Sequence, residues 1–339
     1  MLGKTEGETV FDTGKVSGDE MQICYDGKVK SRMQVVISVF VWDENDIESP
    51  EVGETKFEFA LLNQTDFKAK WINPELTGSD TDLRKNASYL KKEFYVPREE
   101  LQNDALGRIY ATSHGIYVIY LNGKKVEGCV LAPGTTEYES RLAYQTYDIS
   151  SYLVEGDNTI EVVLGDGWYR GCNGNGGVRN VFGTDVALWL QMEVDGKVLV
   201  ISDNSWLASQ DGPIGFNDIQ LGERVDARRV PSYHHGVKEV NFGTDNFICS
   251  NTFPVVEKER FSAKLLSTPN GKQVLDFGQN MAGYISFSVN AKEGQKIRLT
   301  FGEYLDWDGN FSDENFHTIG RKEELHQVVE YICKEGRNN

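Results

Sequence analysis

A glycine- and asparagine-rich stretch at residues 165–180, GDGWYRGCNGNGGVRN, lies between two strand-like segments. The runs before it (159–164) and after it (186–194) are apolar and β-branched, which is typical of strands. Such an insert predicts a long loop at the edge of a β-sandwich, where backbone groups can face a ligand. Trp168, Tyr169 and Arg170 combine a flat apolar face with a hydrogen-bond donor, which suits a polyol ring. The alternative is a glycine-rich connection whose tryptophan lies in the core.

Short strand patterns recur along the chain, and helical periodicity is nearly absent. We predict strands at 10–16, 35–42, 89–96, 108–113, 116–121, 124–126, 144–149, 159–164, 186–194, 197–201, 273–277, 283–289, 296–302 and 328–333. Asn122-Gly123 and Asp195-Gly196 predict two-residue turns with positive φ. The fold class is therefore all-β, built from several β-sandwiches.

Three domains follow from the spacing of the strands and of the polar linkers. We predict a partial fibronectin-like domain at 1–72, a jelly-roll sandwich at 85–242 and a truncated sandwich at 251–339. A polar connection ending at Asn86 separates the first domain from the second. The first and last domains have too few strands to close a sandwich, so we expect the sequence to be a fragment.

Charge and cysteine content exclude some classes of partner. The formal net charge of −17 argues against binding to nucleic acid or to an anionic membrane surface. No apolar run reaches the roughly 18–20 residues that a membrane span requires. The five cysteines show no C-x-x-C pairing, and no hydrophobic signal segment is present at the N-terminus. A reduced, cytoplasmic setting is the prediction.

Recognisable catalytic motifs are missing from the sequence. Carboxylates cluster near Trp307 and one lies in the glycine-rich stretch, but the high acidic content favours solvated loop charges at Glu303, Asp306, Asp308, Asp313, Glu314 and Asp166. His234-His235 has no third ligand at useful spacing, so a zinc site is not expected. No G-x-S-x-G motif is present.

Three loops remain as candidates for ligand binding: 121–123, 131–134 and 168–180. Asparagine side chains and loop carbonyls supply the oxygen ligands that Ca²⁺ prefers, and they also bind sugar hydroxyls. The candidate contacts to a sugar are Asn122, Tyr144, Trp168, Tyr169, Arg170, Asn173 and Asn175. The alternative for each residue is that it belongs to an ordinary turn or core of the sandwich.

The sequence resembles the N-terminal β-domains of bacterial α-L-rhamnosidases. The central motifs that carry this resemblance are LNGKKV (121–126), VLAPG (130–134), YQTYD (144–148), GDGWYRG (165–171) and VDAR (225–228). VLDFGQNMAG (274–283) and LTFGEYL (299–305) resemble the concanavalin-like domain that follows in these enzymes, and FDTGKV (11–16) and FKAKWI (67–72) resemble their leading domain. The resemblance covers essentially the whole chain.

The resemblance implies an inverting glycoside hydrolase whose two carboxylates lie in a later (α/α) helical toroid. That region is absent from this sequence, so the resemblance assigns no catalytic residue here. It implies that the central sandwich binds a terminal rhamnose of a glycan, with Ca²⁺ held at Asn122 and Asn173. The rival hypothesis is a structural scaffold that supports a catalytic domain and binds no sugar. Hydrolytic activity of this chain by itself is a third hypothesis.

Overall fold

The computed structural model describes residues 9–18, 22–74, 85–102, 104–174, 177–316 and 327–339. The chain forms two compact units, Met1–Phe67 and Lys68–Asn339. The first unit contains the antiparallel pair β1 (Gln34–Val39) and β2 (Gly53–Glu58). The strand predicted at 35–42 is therefore confirmed over most of its length. The strand predicted at 10–16 is wrong, because residues 9–18 pair with no described strand.

The first domain boundary lies earlier than the sequence predicted. Strand β3 (Trp71–Asn73) pairs with strands of the second unit, and the Lys68 backbone amide donates to Gln191 Oε1 at 2.7 Å. Residues 68–72 therefore belong to the second unit rather than to a domain ending at 72. The predicted polar linker falls largely outside the described residues, since 75–84 are not among them.

Two large sheets form the sandwich of the second unit. One has the strand order β16-β3-β10-β5-β8-β17, with β11 paired to β10, and the other has the order β15-β12-β4-β9-β6-β7. The further strands of the first sheet are β5 (Gly107–His114), β8 (Leu142–Asp148), β10 (Ala187–Val194), β11 (Lys197–Ile201), β16 (Lys238–Val240) and β17 (Phe247–Cys249). Those of the second are β4 (Ser88–Val96), β6 (Ile116–Leu121), β7 (Lys124–Lys125), β9 (Gly156–Gly165), β12 (Leu207–Ser209) and β15 (His235–Gly236).

Alternating side chains from both sheets build one core between them. In β6 every second residue is buried, and Ile119 and Leu121 join the core cluster with Ile160 of β9 and Leu190 of β10. Strand β10 is buried along its whole length. Its second face is covered by other parts of the chain: Trp189 Nε1 donates to Ala69 O at 3.1 Å. The prediction of an all-β fold with a central sandwich is confirmed.

A third sheet joins two regions that the sequence placed in separate domains. Its order is β13-β14-β24-β21, formed by β13 (Ile214–Asp218), β14 (Gly222–Asp226), β21 (Lys296–Thr300) and β24 (Val328–Ile332). Strands β14 and β24 run parallel, with Gly222 opposite Val328. Residues 214–226 therefore share a sheet with the C-terminal region, although the sequence assigned them to the sandwich at 85–242.

The remaining elements are short. Three further pairs are formed by β18 (Lys264–Ser267) with β19 (Gln273–Asp276), β20 (Val289–Ala291) with β25 (Gly336–Asn338), and β22 (Tyr304–Leu305) with β23 (Phe311–Ser312). The predicted strand at 283–289 is wrong except at Val289, because residues 283–288 pair with no described strand. One α-helix, α1 (Gly167–Arg170), and 3₁₀ turns at Gln64–Asp66, Arg98–Leu101 and Glu314–Phe316 complete the described elements. Among the described residues no helix has the length and apolar character needed to cross a membrane.

Candidate functional site

The glycine-rich stretch begins with a single helical turn rather than an extended loop. Strand β9 ends at Gly165, and α1 follows at once over Gly167–Arg170. Gly167 has φ +54°, and a Cβ atom there would lie 2.6 Å from Ile116 Cγ2 and 2.9 Å from the Gly115 carbonyl carbon. The backbone of α1 therefore lies directly against the start of β6, and only glycine fits at this contact.

Replacing Gly167 with alanine should lower the free energy of unfolding by about 1–3 kcal/mol, because the new methyl group adds both strain at positive φ and overlap with backbone. Gly174→Ala is the matched control, since Gly174 has φ +63° but open space around its Cα. Chemical denaturation of both variants measures the difference. Equal stability of the two variants would contradict the close contact between α1 and β6.

A buried network of two aspartates and two arginines holds the glycine-rich stretch in place. Arg170 Nε donates to Asp166 Oδ1 at 2.8 Å, and Arg179 pairs with the second oxygen of Asp166. Arg179 Nη1 also donates to Asp218 Oδ2 at 2.6 Å. The side chains of Asp166, Arg170, Arg179 and Asp218 are all at most 6% exposed. The expectation that Asp166 is a solvated loop charge is wrong, because the fold encloses its carboxylate between two guanidinium groups.

Asp218 connects this network to the third sheet. It ends β13, and its Oδ2 accepts the Cys172 amide at 2.9 Å while its Oδ1 accepts the amides of Gln220 and Leu221. Burial and the neighbouring Asp218 carboxylate raise the pKa of the Cys172 thiol. Cys172 is therefore a protonated, buried residue rather than a reactive thiolate.

Aromatic side chains surround His114 at the end of β5. The ring of Tyr169 stacks on the imidazole with a centroid distance of 4.3 Å and an interplanar angle of 13°. Trp71 and Phe242 lie at 4.6 and 4.4 Å from the same ring. Burial lowers the pKa of His114 to about 4, and Nδ1 has no hydrogen-bond partner among the described residues. Burial also raises the pKa of the Tyr169 hydroxyl. His114 is thus neutral at physiological pH.

Several of the predicted sugar contacts lie in the core. Tyr144 is 1% exposed and packs near Tyr110 and Phe247, so its ring presents no face to a ligand in this structure. Tyr169 is 6% exposed in the His114 cluster, and Arg170 is 1% exposed in the ion-pair network. Each of these side chains is buried because it points from its strand or from α1 into the interior of the protein.

Three predicted contacts remain partly exposed: Asn122, whose turn is described below, and the neighbouring pair Trp168 and Asn173. Trp168 is half-buried on α1, and Asn173 is half-buried just beyond it. The Asn173 amide group donates to Trp168 O at 2.6 Å and to Gly171 O at 3.2 Å. Its oxygen accepts no hydrogen bond from the part of the chain that the structure describes. Asn175 lies outside the described residues.

Asn122 has a structural role in a hairpin turn. Its Oδ1 accepts the Thr159 amide at 2.9 Å, and its Nδ2 donates to Asn158 Oδ1 at 2.8 Å and to Tyr152 O at 3.0 Å. A cation at this oxygen would compete with the Thr159 amide. No group of three or more His, Cys, Asp or Glu side chains suited to a metal ion occurs among the described residues. The calcium site at Asn122 and Asn173 stays a prediction.

Sequence reasoning missed His114, Arg179 and Asp218 as organising residues of this region. The sequence did contain a signal for Arg179, namely its position inside a glycine-rich loop that follows a strand. If such a loop folds inward, a charged side chain on it requires a partner of opposite charge. Asp218 carried no local signal, since it lies 39 residues beyond Arg179.

Comparisons with known proteins agree with this architecture. Residues 104–270 match the alpha-L-rhamnosidase N-terminal domain, and residues 266–339 match the bacterial alpha-L-rhamnosidase concanavalin-like domain. An alpha-L-rhamnosidase from Formosa agariphila is 32% identical over 91% of this chain. Only 35% of that relative is covered, so the chain spans about a third of its length.

Solved structures give the same result. A native α-L-rhamnosidase from Aspergillus terreus aligns with a TM-score of 0.79 and 27% identity, over 91% of this chain and 36% of that one. An α-L-rhamnosidase from Streptomyces avermitilis, complexed with L-rhamnose, aligns with a TM-score of 0.65 and 31% identity, over 74% of this chain and 25% of that one. Fold and motifs together are those of the β-sandwich region of a glycoside hydrolase. The chain belongs to the bacterial α-L-rhamnosidase family and carries its N-terminal and concanavalin-like domains.

Proposed function

We propose that this chain is the non-catalytic β-sandwich portion of an α-L-rhamnosidase-like glycoside hydrolase, and that its glycine-rich stretch binds a terminal L-rhamnose. The observation that carries the binding proposal is the rigid support under Trp168. The turn that bears this side chain is fixed by the buried pairs of Asp166 with Arg170 and Arg179. A preorganised aromatic face loses little conformational entropy when it binds a ring.

Trp168 and Asn173 supply the two parts of a sugar contact. The indole packs against the apolar C–H face of the pyranose, and the Asn173 oxygen accepts a hydrogen bond from a hydroxyl group. Because Asn173 donates to the Trp168 carbonyl oxygen, its side chain is held next to the backbone that carries the indole. Ca²⁺ would use the same oxygen, since it prefers amide and carbonyl ligands.

The second candidate function is a purely structural one. Burial of Tyr144, Tyr169 and Arg170 favours it, because these residues stabilise the sandwich instead of facing a ligand. In this role the sandwich supports a catalytic domain in the manner of a scaffold and binds no sugar.

Trp168→Ala distinguishes the two functions. Under the binding proposal it weakens the affinity for L-rhamnose at least about tenfold, as expected when about 1.4 kcal/mol of contact is lost. Its effect on the free energy of unfolding should stay below that of a core tryptophan, about 3–5 kcal/mol. Isothermal titration with L-rhamnose, with and without Ca²⁺, measures the first quantity, and chemical denaturation measures the second.

Val181→Ala is the control for this experiment, because Val181 is an exposed residue directly after the glycine-rich stretch and has no role in the proposed contact. Absence of binding heat at millimolar L-rhamnose, both with and without Ca²⁺, would leave the structural role as the function of the sandwich. We also propose a cytoplasmic setting, since all five cysteines are free thiols.

A further inference from the structure

Trp307 is the most exposed large apolar residue among those described. Its relative exposure is 106%, so the whole indole lies in solvent. It sits in the turn of the Trp307 hairpin, which we define as residues 304–312 and which contains β22 and β23. Single exposed apolar residues are common on protein surfaces, so exposure alone indicates no function. The hydrogen bonds and the acidic residues around this tryptophan bear on its function.

The turn that carries Trp307 is fixed by several hydrogen bonds. Asp306 Oδ1 accepts the Asp308 amide at 3.0 Å and the Asn310 amide at 2.7 Å, and the Gly309 amide donates to Asp306 O at 2.9 Å. The hairpin is also tied to the neighbouring β18–β19 turn, because the Asn270 amide donates to Asn310 Oδ1 at 2.9 Å. The backbone beneath the indole is therefore ordered before any ligand arrives.

Aspartates adjoin Trp307 on both sides in the sequence. The Asp308 carboxylate has no hydrogen-bond or ion-pair partner among the described residues, and Asp306 uses only Oδ1 in the turn. Glu303 differs from both, because its two oxygens accept hydrogen bonds from Asn280 and Asn315. Carboxylates accept strong, charge-assisted hydrogen bonds from hydroxyl groups. Trp307 is thus an exposed indole whose two neighbours in the sequence each have an unused acceptor.

We propose that the Trp307 hairpin is a second saccharide-binding surface that takes neutral pyranoses. The indole packs against the C–H face of the ring, and Asp306 Oδ2 and Asp308 accept hydrogen bonds from hydroxyl groups at its edge. The two carboxylates repel anionic sugars, so the ligand is uncharged. A stable protein partner would require roughly 800 Å² on each side, far more than one projecting ring supplies. The proposed function enters only in the choice of L-rhamnose as the first probe.

Two-dimensional NMR of the 339-residue chain with ¹⁵N-labelled tryptophan tests the proposal. The six tryptophans give separate indole N–H signals, and Trp307→Phe and Trp168→Phe assign the two that matter. We expect L-rhamnose to shift the Trp307 signal with saturation in the range of about 1–10 mM. D-Glucuronic acid, an anionic pyranose, should bind at least about fivefold more weakly, because both carboxylates of the turn oppose it.

Two variants separate the effect of charge at the turn from the effect of ring exposure alone. Asp308→Asn should bring the affinity for D-glucuronic acid closer to that for L-rhamnose, because one repelling charge is removed. Phe253→Ala should change neither titration, since Phe253 is 100% exposed but has no acidic residue beside it in the sequence. A Trp307 signal that stays unchanged with neutral sugars up to tens of millimolar would overturn the proposal. So would a shift that depends on protein concentration without sugar, which indicates contact between copies of the chain.

The same spectra separate this proposal from the proposed rhamnose site at Trp168. If only the Trp168 signal responds, the proposed function stands and the second surface is disproved. If only the Trp307 signal responds, including in Trp168→Ala, the hairpin binds sugar and the glycine-rich stretch does not.

Discussion

Replacing Asp166 with alanine should lower the free energy of unfolding of the second unit by about 3–5 kcal/mol. The Asp166 side chain is fully buried and pairs with both Arg170 and Arg179. Its removal leaves the Arg170 guanidinium, which is 1% exposed, without its carboxylate partner. A buried charge without a partner of opposite charge lowers the free energy of unfolding by far more than a surface ion pair raises it. Urea denaturation followed by tryptophan fluorescence measures this loss.

Asp185→Ala is the control, because Asp185 is an exposed aspartate five residues beyond the glycine-rich stretch. Its free energy of unfolding should differ from that of the original chain by no more than about 0.5 kcal/mol. If Asp166→Ala also lost less than about 1 kcal/mol, the buried network would not be what holds the glycine-rich stretch.

Acidification should destabilise the second unit through His114 by up to about 3 kcal/mol. Burial lowers the pKa of His114 to about 4, whereas the unfolded chain has the ordinary value of about 6.5. A base with a lowered pKa binds its proton more readily in the unfolded state. Its contribution to stability is therefore complete above pH 6.5, declines as the pH falls from 6.5 to 4, and is lost below 4.

His114→Phe isolates this effect, because phenylalanine keeps the aromatic packing against Tyr169 but cannot take up a proton. The difference in unfolding free energy between the original chain and the variant should change with pH only between about 4 and 6.5. Carboxylates that titrate below this range affect both proteins equally and cancel in the difference. A difference that is constant over this range would show that His114 is not buried as a neutral group.

Local turn chemistry made much of the sandwich predictable. Asn122 and Gly123 have φ values of +52° and +75°, and Asp195 and Gly196 have +48° and +75°. Each pair connects adjacent antiparallel strands, as the two-residue turns required. The predicted runs at 116–121 and 197–201 agree with β6 and β11 to the residue. Alternating apolar residues and turn residues determine structure between neighbours in the sequence. Such local patterns can therefore be read from one sequence alone.

Long-range pairing could not be predicted from the sequence. Strand β14 pairs in parallel with β24, about a hundred residues further along the chain, and Asp218 meets Arg179 only when β13 lies beside the glycine-rich stretch. The burial of Tyr144 likewise depends on Phe247, which no local pattern brings near it. The motif in residues 165–171 located the important stretch correctly. It did not show that Tyr169 and Arg170 point into the protein while Trp168 stays partly exposed.

Hydrolysis of an aryl α-L-rhamnoside by the purified 339-residue chain is the most direct test of a non-catalytic role. We predict no release of the aryl alcohol above the uncatalysed rate, while L-rhamnose still produces binding heat that Trp168→Ala weakens. Turnover that copurifies with the chain and persists through further purification would contradict the account.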